Sequence, residues 1–159
     1  MPMSSGGGTT DQTPWETATF TKADVTAAGS SGAWTMVNSP ITIATVTGTV
    51  LVRAFARITT TFTSTSNTGK PLLGAAGATS QLLSAVTADG TNLAEGFMWS
   101  STSAGPLALW ATNSQNFVPM TAGDIIITIL TNDMTAGGVV IELQWIPLSA
   151  GATVVAATP

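Results

Sequence analysis

The chain has 159 residues, enough for one core of ordinary size that needs neither disulfides nor a structural metal, and it contains no cysteine. Lys and Arg number 4 against 8 Asp and Glu, a net charge of -4 with no basic cluster, which argues against nucleic-acid binding, since that relies on phosphate neutralisation. The most apolar stretches, residues 123–130 and 138–148, fall well short of the roughly 18 residues of a membrane-spanning helix, so no membrane partner is expected.

With no His, Cys or Tyr, the usual general bases, thiol nucleophiles and metal ligands are missing. An enzyme is therefore not expected, nor a cofactor. The opening Met1-Pro-Met-Ser-Ser-Gly-Gly-Gly lacks both the charged and the apolar parts of a signal peptide.

Residues 1–14 read as an extended arm of Gly, Ser and Thr, with residues 15–159 as a single β domain. The arm's Ser4, Ser5, Gly6, Gly7, Gly8, Thr9 and Thr10 have almost no apolar surface to place on their own core. Ordering them costs about 1 kcal/mol or more of backbone entropy each, so backbone hydrogen bonds to a partner, such as an added strand, are the expected compensation.

From Trp15 onward, short β-branched and aromatic runs alternate with Gly, Asn, Asp, Pro and Ser. Strands are predicted over residues 16–21, 33–37, 41–46, 49–62, 81–87, 96–100, 107–111, 124–131 and 139–147. Residues 23–28 allow one helical turn at most, because Gly29 and Gly32 stop its growth. In the longest strand, Val50, Val52, Ala54, Ala56 and Ile58 alternate with Leu51, Arg53, Phe55, Arg57 and Thr59, so the even set should face the core. Val139, Ile141, Leu143 and Trp145 should face inward by the same rule. The stretch 124–130 is apolar on both faces, as in a central or interfacial strand. Gly74 to Gly77 and Gly137-Gly138 read as turns. The pattern is all-β, a β-sandwich or jelly roll, whose weakly charged strands need closure or oligomerisation to protect their edges.

Arg53 and Arg57 share one strand face at roughly 13 Å. They suit either the carboxylates of a partner protein or an intrachain carboxylate such as Glu142. Asp89-Gly-Thr-Asn92 and Asn132-Asp133 offer oxygens of the kind Ca²⁺ takes, but they lack EF-hand spacing and read as turns, so no metal is expected. Glu16, Glu95 and Glu142 show no spacing that marks a catalytic carboxylate pair. Among the tryptophans, Trp145 has a core register, while Trp99 and Trp110 flank a Ser/Gly-rich stretch and are the candidates for a partner or ligand contact.

Four stretches together, Thr47-Gly-Thr-Val-Leu-Val-Arg53, Leu73-Gly-Ala-Ala-Gly-Ala-Thr79, Thr121-Ala-Gly-Asp-Ile-Ile-Ile-Thr128 and Gln144-Trp-Ile-Pro-Leu-Ser-Ala-Gly151, resemble small β-rich virion proteins of tailed bacteriophages. The resemblance is to the capsid decoration (cement) type and is one of pattern, over about residues 41–155. It implies a jelly-roll protein on the outer surface of the capsid, commonly a homotrimer, reinforcing contacts of the major capsid protein. A tail or baseplate subunit shares these features. The alternative of a different class is a β-sandwich carbohydrate-binding module, which a flat exposed pair of tryptophans would favour.

Overall fold

The computed structural model describes residues 15–29, 32–101, 104–105 and 117–158. They form eleven strands in chain order: β1 (Glu16–Lys22), β2 (Ile41–Thr47), β3 (Val50–Ser64), β4 (Lys70–Ala75), β5 (Ala78–Leu83), β6 (Met98–Trp99), β7 (Ala104–Gly105), β8 (Val118–Met120), β9 (Gly123–Leu130), β10 (Met134–Pro147) and β11 (Thr153–Ala156). A single 3-10 turn at Thr65–Asn67 is the one helical element among the described residues. One sheet has the order β1-β10-β3-β6-β7, with β8 also on β3, and the other the order β11-β2-β9-β4-β5. The two pack face to face as an all-β sandwich.

The topology is that of one long hairpin rolled up. β4 and β5 form its tip, and the nested antiparallel pairs β3 with β6 and β8, β2 with β9, and β1 with β10 lead back towards both ends. Rolling this ladder brings β10 against β3 and β9 against β4, the jelly-roll arrangement.

Alternation decides which side chains fill the space between the sheets. Val50, Val52, Ala54, Ala56 and Ile58 of β3 are buried, as are Val139, Ile141, Leu143 and Trp145 opposite them on β10. Ile125, Ile127 and Ile129 supply the facing layer from β9. Ile126, on the other face of β9, is also buried, and β9 is central, between β2 and β4.

Several predicted elements take another form. Residues 33–37 make a hydrogen-bonded turn rather than a strand, and its purpose is to drive Trp34 into one end of the core. The Trp34 amide donates to Val25 O at 2.8 Å, its carbonyl accepts from Met134 N at 3.1 Å, and its ring lies 5.8 Å from that of Phe62. Gly137 and Gly138 are not a turn; they lie inside β10 at its register shifts. Gly137 has φ +147, and a Cβ there would stand 2.8 Å from the Phe62 ring, so the bulge lets Phe62 close over bare backbone. Gly74 likewise belongs to β4, leaving Ala76 and Gly77 as the turn. The strand expected over 81–87 ends at Leu83 and that over 96–100 shrinks to Met98–Trp99. The strand expected over 107–111 lies outside the described residues, as do the arm residues.

Edge protection comes in part from the chain itself. On one side, Ser84 N and Oγ both donate to Ser100 O, at 3.1 and 3.3 Å, joining the ends of β5 and β6 across the two sheets. On the other side, the outermost strands β1 and β11 run against each other.

Candidate interaction surface

The solvent side of the larger sheet is assembled by strand register. β3 turns Leu51, Arg53, Phe55 and Arg57 outward, and β10 sets Ile146, Gln144, Glu142 and Val140 respectively beside them. β1 adds Thr17 next to Gln144 and Thr19 next to Glu142. Pro119 of β8 lies beside Leu51, and Met98 of β6 beside Arg57. The face is thus half apolar, with half-buried Leu51, Phe55, Val140 and Ile146, and it carries half of the chain's four basic residues.

Its best-defined feature is at Arg53. The guanidinium donates from Nε to Gln144 Oε1 at 2.9 Å and from Nη2 to the same oxygen. Its Cζ stands 5.1 Å from the Trp15 ring and 5.0 Å from the Phe117 ring, and those rings lie 5.1 Å apart at an interplanar angle of 34°. Trp15 is 37% and Phe117 45% exposed, so two large aromatic groups remain open to a partner while their positions are fixed by one cation. Glu142 is drawn in indirectly, accepting from Gln144 Nε2 at 3.4 Å.

Comparison with protein-family models, with curated proteins and with solved structures finds no match.

Sequence reasoning placed Arg53 and Arg57 on one face, which the register bears out, but they do not behave alike. Arg53 meets the amide of Gln144 instead of the carboxylate of Glu142, because the register puts Glu142 opposite Phe55. Arg57 is exposed beside Val140 and Met98 and forms no ion pair among the described residues. Trp99 is corrected: it is 0% exposed, its backbone pairs with inward-facing Ala56, and its Nε1 donates to Ser84 O at 2.8 Å, so it is a core residue and not a surface contact. Trp110 and the arm residues Ser4, Ser5, Gly6, Gly7, Gly8, Thr9 and Thr10 lie outside the described residues. Trp15 and Phe117 were missed, since only the folded register brings them to Arg53.

Asp89, Asp133 and Asp124 are occupied by local structure. Asp89 Oδ1 accepts the amides of Thr91 and Asn92 at 3.0 and 2.9 Å, an Asx turn. Asp133 accepts Met36 N at 2.7 Å, and Asp124 takes the hydroxyls of Thr45 and Thr42. Among the described residues no three acidic side chains converge as a metal site would require. A shallow cavity of about 240 Å³ between the β4–β5 turn and the β8–β9 connection has Asp124 as its one ionisable lining group.

The titration behaviour follows from these contacts. The Thr26 hydroxyl and then the Thr26 amide lower the Asp24 pKa, and the Asn92 amide chiefly lowers that of Asp89. Burial lowers the pKa of Lys22, with the charge of Asp24 opposing it. A carboxylate whose folded pKa is depressed stabilises the fold above its unfolded value and loses that contribution as pH falls through the folded one. A lysine with a depressed folded pKa makes stability rise with pH only at the alkaline end. With no His or Cys in the chain, urea midpoints are expected to coincide at pH 6, 7 and 8 and, from the depressed Asp24 and Asp89, to fall below about pH 4. A change above about 1 kcal/mol between pH 6 and 8 would indicate a carboxyl with a strongly raised pKa, of the kind that active sites use.

Proposed function

We propose that the chain is a non-enzymatic structural protein of a virion, a capsid decoration protein that reinforces the shell by attaching to the major capsid protein through the outer face of its larger sheet. The observation that carries this reading is the Trp15–Arg53–Phe117 cluster, an aromatic and cationic anchor on a face of mixed apolar and polar side chains. Buried contacts between proteins are enriched in such residues. The jelly roll and the four stretches that resemble decoration proteins support the same assignment. So does the use of Asp89, Asp124 and Asp133 in holding loops and strands rather than in a shared cleft.

A carbohydrate-binding module is the competing reading, because Trp15 and Phe117 are exposed aromatics. Their rings are tilted by 34° and Arg53 lies over both, so they do not form the flat open platform on which a sugar ring stacks. Trp34, Trp99 and Trp145 are buried.

The test is cosedimentation with capsids of the phage that encodes the chain, stripped of it beforehand. Saturable attachment of the purified protein, as a trimer by light scattering, is the expected result. A protein that stays in the supernatant at micromolar concentration would overturn the proposal.

A further inference from the structure

Arg53 is held in place, yet no carboxylate among the described residues neutralises its charge. Gln144 Oε1 takes the Nε and Nη2 donors along one side of the guanidinium, and the Trp15 and Phe117 rings confine it. An amide oxygen orients a guanidinium without cancelling its charge. Among the described residues Arg53 forms no ion pair. Among the described residues two of its five N–H donors are engaged, which leaves the pair at the Nη1–Nη2 end, the fork that grips a carboxylate bidentately.

We propose that this fork is a pre-formed receptor for the carboxylate of an Asp or Glu side chain, on a segment of partner protein lying across the sheet. Charge complementarity selects the occupant. Arg53 and Arg57 place half of the basic residues of a chain with net charge -4 on this one face. Glu142, the acidic residue among the outward positions of β1, β3 and β10, is turned to Gln144. The aromatic and amide contacts lower the ordering cost that a free arginine bears on binding, so Arg53 acts as the anchor and the exposed Arg57 as a weaker neighbour. That the partner is a capsid subunit rests on the assembly reading above; the receptor chemistry does not.

The chain has two arginines, so its side-chain ¹⁵Nε–¹H spectrum has two signals, and Arg57→Lys assigns them. Titration of the labelled full chain with acetyl-Gly-Glu-Gly-amide is expected to move the Arg53 signal saturably and about threefold further than that of Arg57, while the Gln peptide moves neither. Trp15→Ala, which frees the guanidinium, should reduce that difference. An Arg53 signal that stays still, one that moves no more than that of Arg57, or a stronger response to glucuronate than to the Glu peptide would overturn the proposal. Failure to attach to capsids would sink the assembly reading and leave this titration unaffected.

Discussion

Trp99→Ala is expected to lower the unfolding free energy by about 3–5 kcal/mol, the usual cost of emptying a large aromatic site in a core. Trp99 is 0% exposed and packs in the same cluster as Ala56, Leu82 and Leu83. Its indole N–H is also the donor to Ser84 O, at the seam where β5 and β6 are joined, so the substitution leaves a cavity and removes a hydrogen bond from that carbonyl. Trp15→Ala should cost about 1 kcal/mol or less, since that ring is partly exposed and outside the core. Urea denaturation of both variants gives the comparison. Equal midpoints would mean that Trp99 is not a core residue and would return it to the surface.

Gly74→Ala should be as damaging, through excess volume instead of lost volume. A Cβ at Gly74 would stand 2.2 Å from Ala78 O and 2.6 Å from Thr79 C, both backbone atoms of the facing strand that cannot swing aside. The β4–β5 hairpin would have to open, at an expected cost of about 3 kcal/mol or more. Gly77→Ala at the adjacent turn meets nothing within 4 Å and bears only the strain of φ +87, about 1 kcal/mol. A thermal melt that ranks Gly77→Ala below Gly74→Ala in stability would contradict this packing.

The long strands were legible because they obey a period of two over many residues. The alternation of residues 50–58 and 139–145 needed only burial on one face to become β3 and β10, and the double-sided apolar run 124–130 needed a central place, which β9 has. Short elements were not legible, for identifiable reasons. β4 contains Gly74, which read as the start of a turn, and Pro71, which is tolerated because β5 pairs only with Leu73 and Ala75, leaving that part of β4 uncovered on one side. β11 has four residues, and β8 three with a proline in the middle, too few to show a period. The turn at Trp34 looked like a strand because one aromatic and one valine raised its apolar content, whereas Asn38 Nδ2 and Ser39 N close it by donating to Ala33 O and Thr35 O, and the Ser39 hydroxyl ties it to β9 by accepting from Ile129 N.

The candidate surface was half legible in the same sense. Period-two spacing put Arg53 and Arg57 together, but which residue stands opposite each depends on the β3–β10 register, and a shift of two positions separates Gln144 from Glu142. Trp15 and Phe117 reach Arg53 from just before β1 and just before β8, a meeting that only the rolled topology determines. Trp99 was misplaced because its neighbours Ser100 and Ser101 suggested a surface loop, while pairing with Ala56 turns the indole inward.

The central claim is that the outer face of the larger sheet is the attachment surface, and a cryo-EM map of the decorated particle tests it most directly. The predicted result is this sheet seated on the major capsid protein, with Trp15 and Phe117 buried and an acidic side chain of the shell at the Arg53 fork. A map in which that face points to solvent, or in which the shell lacks this chain, would contradict it.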